Sequence, residues 1–432
     1  MASVDFGKYK RIVQYFWDPE PKNDDMSRAP IWCLGQDYVA CPPPHNESFA
    51  VIPSPAPSSP PGSEQPPLGG SHSSVESLSP PSDSVSSSAD EGLAYSSESS
   101  GGSEEDGGWP TPFLDDFESR FWFTYRSNFP PIARSPDPNA QSAMTFSVRL
   151  RSQLVDHKGF TSDSGWGYWR RNQSADHERL LLSLFADDPR APFSIHRFVE
   201  HGATACGKHP GEWFGPSATA RCIQALCNDH EATNLRVYIT GDGSDVYEDS
   251  FMKIARPDGA DFQPTLVLVG IRLGIDRVTP VYWESLKASL RMPQSIGIAG
   301  GRPSSSHYFV AVQSSHFFYL DPHQTRPALP YHPSATDLSA EDVSSCHTRR
   351  LRRLHIQEMD PSMLIAFLIR DEDDWKAWRK GVAGDAPGKP VIRVADQEPT
   401  HPSHGGSERE GAVDEVEILS DDDDDNDTIA AG

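Results

Sequence analysis

The sequence predicts an α+β, or mixed α/β, fold, and three observations carry that prediction. Helical patterns come first and then alternate with short apolar runs rich in β-branched residues. Gly, Pro and Ser clusters punctuate those runs as turns. Two compositionally biased segments, 42–107 and 382–432, stand outside the pattern. They leave roughly 300 residues, enough for one large core or two closely packed subdomains.

Taken in order, "GKYKRIVQYFWD" (7–18) places Ile12, Val13, Phe16 and Trp17 at helical spacing and predicts a short amphipathic helix. "IWCLGQDY" (31–38) predicts a strand. "FLDDFESRFWFTYRSNF" (113–129) predicts a helix with Phe113, Phe117, Phe121 and Trp122 on one side. "DHERLLLSLFADD" (176–188) is an amphipathic run. "GPSATARCIQALCND" (215–229) opens a helix with Pro216 near its first turn. Strands follow at 234–240 and 264–274, a helix at 279–292, and short strands at 295–301, 307–313 and 316–322. "SMLIAFLIR" (362–370) is a fully apolar strand. "DEDDWKAWRKG" (371–381) is a closing helix, acidic at its start and basic at its end as the helix dipole favours.

The net charge of −24 is uneven. Residues 42–107 hold ten Asp/Glu and no Lys/Arg, and residues 408–427 hold eleven Asp/Glu and one Arg. Both segments are too polar to offset the entropy of ordering, so they are expected to be disordered. The acidity argues against a nucleic-acid surface. The six cysteines show neither a CxxC pair nor a zinc-type spacing, so no metal and no cofactor is expected. No apolar run reaches the ~18 residues of a membrane span, and no signal peptide opens the chain. A reducing, cytosolic setting with free thiols is expected.

Four stretches could carry chemistry. In "YLDPHQTRPAL" (319–329), Asp321 and His323 are two apart, and alternate residues of an extended chain face the same side. A carboxylate can then orient the imidazole, the base-plus-orienter part of a nucleophilic site. An exposed turn capped by the Asp is the plainer reading of that spacing. "SIGIAGGRPSSSHYFV" (295–310) holds a Gly/Pro/Ser loop able to gate a cleft, or an ordinary hairpin turn. "PGEWFGPSATA" (210–220) places Trp213 at a helix entrance, where an aromatic is more often core than substrate contact. "GFTSDSGWG" (159–167) suits a tight turn that presents the next residue at a helix N-terminus, where a thiolate is stabilised. That next residue is Tyr168, a poor acyl acceptor.

These stretches, with "WFTYRSNFPPI", resemble the autophagy-related protein 4 family of cysteine endopeptidases across most of 7–38 and 113–381. The resemblance implies a papain-like fold with a small extra subdomain. It implies an N-terminal segment (1–41) joining a protease domain (108–381), with the insert and tail outside. It implies cleavage after the C-terminal glycine of a ubiquitin-like autophagy modifier, both to trim its precursor and to release it from phosphatidylethanolamine. Position by position, Asp321 and His323 match the catalytic pair and Tyr125 a residue near the oxyanion site. Trp213 and the loop around Pro303 match elements that cover the cleft and admit the substrate's tail. The cytoplasm is the implied location, with the nucleus and the autophagosome assembly site as further places.

The departure is at the nucleophile. The family pattern runs from "GWG" into Cys and a long apolar helix. Here the chain reads Tyr168, Trp169, Arg170, Arg171, Asn172, Gln173. A helix crossing a domain needs about 20 residues for about 30 Å, and residues 168–191 already include the separate run 176–188. One helix, with the Cys at its start, is therefore expected to be absent between Gly167 and Tyr168. A skipped exon or a misplaced gene boundary would do this, and so would a true loss in an inactive relative. Cys206 lacks the turn-then-helix setting of a substitute, and Cys222 and Cys227 read as packing residues. The chain is then an endopeptidase by lineage that has lost its nucleophile, a non-catalytic binder of the same modifier, or a chain that no longer folds stably because the lost helix leaves an unfilled apolar pocket. "YKRI" (9–12) and, more weakly, "VEIL" (416–419) have the form of short modifier-docking motifs.

Overall fold

A computed structural model describes residues 20–25, 29–39, 106–132, 174–210, 214–241, 243–303, 305–384 and 387–399. The expected 7–18 helix, most of the insert, the 159–173 stretch, Trp213 and both docking motifs lie outside the described residues.

The chain opens with a hairpin of β1 (Ile31–Cys33) and β2 (Gln36–Tyr38), where the sequence predicted one strand. Leu34 and Gly35 have φ of 47° and 85°, the positive values a two-residue hairpin turn requires. A Cβ on Gly35 would meet Pro293 Cα at 2.6 Å, so glycine is also the residue that fits.

The expected 113–129 helix is cut short. α1 spans Thr111–Glu118, and β3 (Tyr125–Ser127) follows. Between them Phe121, Trp122 and Phe123 are all buried. Three consecutive buried aromatics fit an extended, enclosed segment better than one stripe of a helix. Neighbouring chain holds that segment: Trp122 N–H donates to the Cys346 carbonyl at 2.7 Å and Tyr125 N–H to the Pro322 carbonyl at 2.9 Å.

Three helices follow: α2 (Ala175–Leu184), α3 (Ile195–Ala205), which was not foreseen, and α4 (Pro216–Asp229). Then come β4 (Arg236–Ile239), β5 (Asp245–Tyr247), α5 (Glu248–Ala255) and β6 (Thr265–Arg272). After α6 (Trp283–Arg291) come β7 (Ser295–Arg302), β8 (Ser305–Gln313), β9 (His316–Leu320) and β10 (Thr325–Pro327). The remaining elements are α7 (Ala340–Ser344), β11 (Arg353–His355), β12 (Ser362–Ile369), α8 (Glu372–Val382) and β13 (Arg393–Ala395).

Nine strands form the main sheet, in the order β11-β9-β8-β7-β12-β6-β4, with β1 joining β8 and β2 joining β1. All its pairs are antiparallel except β4–β6. A sheet of this kind with helices packed on it is the predicted α+β class. The central strands read as continuous apolar runs because both faces are buried. On β6, Val267, Val269 and Ile271 enter the main core, while Leu266 and Leu268 enter a smaller cluster with Ala220 and Cys227 of α4. On β12, Met363, Ile365, Phe367 and Ile369 take the first face, and Leu364 and Ala366 the second. The period of two, invisible in composition, is thus fully used.

α8 supplies Trp375 and Trp378, both buried in the main core. Phe251 stacks on Trp375 at 4.0 Å between centroids. Asp371 caps the helix, accepting from Asp374 N–H at 2.8 Å. The order does not stop there. Residues 387–399, grouped with the acidic tail by composition, belong to the folded chain. β13 pairs in parallel with β5, and Val391 and Ile392 sit in the main core. Flanking Gly, Pro and Asp, and Arg393 inside the run, mask this short apolar stretch in the sequence. No helix among the described residues is long and apolar enough to cross a membrane.

Candidate active site

The site lies where β9 ends. Leu320 is the last paired residue, and Asp321-Pro322-His323 turns the chain towards β10. Asp321 Oδ1 accepts two hydrogen bonds from His323, from its backbone N–H at 3.0 Å and from Nδ1 at 2.5 Å. The first is a local turn that Asp forms readily. It fixes the second, so the pairing read from the two-residue spacing is made by the residues themselves. Nδ1 carries the proton, because its partner is a carboxylate, and Nε2 is the acceptor nitrogen.

β3 walls this turn. It pairs in parallel with β10, setting Tyr125 opposite Thr325. Trp122 Nε1–H donates to the Asp321 carbonyl at 2.7 Å. The Tyr125 ring meets the His323 ring edge-on, with centroids 5.3 Å apart. The third wall is the start of β8. Ser305 Oγ lies 3.3 Å from His323 Nε2. The His307 ring is 5.6 Å from that of His323 and 4.2 Å from that of Tyr319. Pro303, exposed in the β7–β8 turn, is two residues from Ser305, which brings the Gly/Pro/Ser loop beside the site.

Electrostatics follow from this packing. Burial alone would raise the Asp321 carboxyl, but the hydrogen bond and charge of His323 outweigh it and hold it down at about 2. Burial pushes His307 down to about 3, so it is a neutral imidazole at neutral pH. Its Nδ1 finds no hydrogen-bond partner among the described residues. His307, Asp321 and His323 bring ligand-type atoms within 4.8 Å of one another. Asp321 and His323 already satisfy each other, so the arrangement reads as an oriented base with a neutral neighbour rather than a metal cage.

The structure therefore gathers Tyr125, Asp321 and His323, with Pro303 at the rim. Ser305 and His307 were not foreseen. Their signal was period two along β8, which starts at 305, two residues before the predicted strand.

No described cysteine stands in an activating environment of the kind a nucleophile needs. Burial pushes Cys33 and Cys222 up to about 12, Cys227 up to about 11, and raises Cys346 despite the nearby Arg126. Cys206 packs on the Phe198, Cys222 and Leu226 cluster.

The catalytic domain of the peptidase C54 family matches residues 110–381. A protein of Sclerotinia sclerotiorum described as a probable cysteine protease atg4 is 61% identical over 449 aligned positions, covering 98% of this chain and 99% of its own. A probable cysteine protease ATG4 of Coccidioides immitis is 53% identical over 451 positions, covering 98% of this chain and all of its own. The cysteine protease ATG4 of Pyricularia oryzae is 49% identical over 496 positions, covering 100% of this chain and 99% of its own. Each alignment is longer than the 432 residues present here, so each relative carries residues without a counterpart in this chain.

Proposed function

The chain belongs to the peptidase C54 family, papain-like cysteine proteases of autophagy, and from that membership we propose that Asp321 and His323 are the base half of its catalytic site. In this reading His323 Nε2 is the general base and acid, and Asp321 holds its tautomer. Tyr125 lines the oxyanion side, and Trp213 and the turn at Pro303 admit the substrate's tail. The substrate is a ubiquitin-like autophagy modifier, cut after its C-terminal glycine in the precursor and in the phosphatidylethanolamine conjugate. The cytoplasm is where that substrate would be met.

The thiol this pair serves is missing from the chain, so it does not cleave the precursor. One observation carries that reading. His323 is fully oriented, yet no cysteine lies between Cys41 and Cys206 in the sequence. The greater length of the relatives' alignments leaves room for an absent segment without placing it. With Tyr125, Asp321, His323 and the turn at Pro303 gathered at one place, the chain remains, in this reading, a binder of the same modifier.

Incubating the purified chain with a modifier precursor, read by intact mass and titration calorimetry, tests this. Binding without cleavage is expected. Cleavage that is lost on His323→Ala would sink the missing nucleophile, and absence of both binding and cleavage would sink the modifier.

A further inference from the structure

We propose that Ser305 occupies the nucleophile's place at His323, and that small activated carboxylic esters acylate this chain at Ser305 Oγ. The proposal rests on the reading of Asp321 and His323 as a working pair. Its evidence is directional. Asp321 Oδ1 accepts a hydrogen bond from His323 Nδ1–H at 2.5 Å, which leaves Nε2 as the nitrogen able to accept a proton. Ser305 Oγ faces that nitrogen at 3.3 Å. Hydroxyl, imidazole and carboxylate thus stand in series, the order of a serine triad, and that constellation is recognised by geometry rather than by chain position. A hydroxyl–imidazole contact at the long end of the range is usual before substrate binds.

Position also suits the role. Ser305 is the first residue of β8, paired with Arg302 across the turn. It is half-buried, and the exposed Pro303 stands two residues away, so the hydroxyl is fixed on a sheet yet next to solvent. Beneath it His307 is buried and contributes no competing charge at neutral pH.

The step balances. Ser305 Oγ forms a bond to the ester carbonyl carbon while its proton passes to His323 Nε2. The carbon–oxygen bond to the leaving group then breaks, and an aryl oxide departs with the electron pair. Because the aryl oxide leaves without it, that proton passes from Nε2 to solvent. Water then attacks the acyl-serine carbonyl carbon while giving a proton to Nε2, and Nε2 passes that proton to Oγ as the bond to the serine breaks and the carboxylic acid leaves. An activated aryl ester has a more reactive carbonyl and a far better leaving group than a peptide amide, so it needs less help from a hydroxyl held at the long end of hydrogen-bond range. Activated esters therefore react where the modifier's amide bond stays intact.

The probe is 4-nitrophenyl acetate with the purified full chain near neutral pH. A nitrophenolate burst of one equivalent is expected, with one acetyl group mapped to Ser305. Ser305→Ala and His323→Gln should each lower the initial rate about 100-fold, the scale of one general base. Ser305→Cys keeps the geometry, and its thiol should be alkylated by iodoacetamide faster than Cys206 at about pH 6, where an unassisted thiol is largely protonated. Acetyl found only on native thiols or lysines, with an unchanged rate in Ser305→Ala, overturns the proposal. The hydrogen-bonded Nδ1 proton of His323 in the NMR spectrum separates the two readings. Its presence without acetylation of Ser305 sinks the nucleophile and spares the pair, and its absence from the unmodified chain sinks both.

Discussion

Asp321 and His323 were legible because both hydrogen bonds between them are local, spanning two residues. Holding the Asp321 carboxyl at about 2 has a consequence for stability. A carboxyl whose folded value lies below its unfolded one stabilises the fold above the unfolded value, and the contribution fades as pH falls from about 4 towards 2. For Asp321 it is at most about 2 kcal/mol. Urea titrations of the unmodified chain and of Asp321→Asn should differ most near pH 6 and converge only towards pH 2. His307 acts in the same direction through the opposite protonation. Its folded value of about 3 lies below the ordinary 6.5, so the unfolded chain takes up the proton first and stability falls as pH drops below 6.5. One imidazole should therefore fail to titrate between pH 8 and pH 5 by NMR, and His307→Gln should remove that signal. Ser305 and His307 escaped notice because a run of three serines reads as loop by composition, whereas the strand's pleat decides what they face.

At the scale of elements, the long apolar runs and strong helix patterns were legible, and the short pairings were not. The runs at 264–274 and 362–370 became β6 and β12 because both faces of the sheet are covered. The aromatic run after Glu118 was misread because its hydrogen-bond partners, the Cys346 and Pro322 carbonyls, are about 200 residues away in the chain. The same holds for β13, whose partner β5 lies far upstream. Ending the chain at residue 399 should leave its melting temperature unchanged. Ending it at 387 uncovers the pocket filled by Val391 and Ile392, each worth about 1.5–3 kcal/mol when buried, and should lower melting by on the order of 10 °C. Gly297 in β7 offers a sharper check. Its φ is +110°, and a Cβ there would meet the Tyr308 ring at 2.6 Å and the Phe309 carbonyl at 2.8 Å. Gly297→Ala should cost about 1–3 kcal/mol in denaturant unfolding, even though it adds one methyl group.

Across the whole molecule, membership of the peptidase C54 family was legible from long strings of residues, and the same strings are what the proposed missing segment after Gly167 rests on. The net charge says little about the site. Twenty-one of the acidic residues fall within 42–107 and 408–427, and the described site depends on one carboxylate and its imidazole. What the described chain offers is an oriented base, a wall from β3, a turn at Pro303 and no activated thiol. The central claim is that only a nucleophile-bearing segment is lacking. The measurement that bears on it most directly compares this chain with a version carrying, between Gly167 and Tyr168, an inserted helix of about 20 residues that opens with Cys. Both are incubated with a modifier precursor extended beyond its C-terminal glycine, and the product is weighed by mass spectrometry. Cleavage is expected from the extended version alone, and it should vanish on His323→Ala. Cleavage by the chain as it stands, or none by a folded extended version, would contradict the claim.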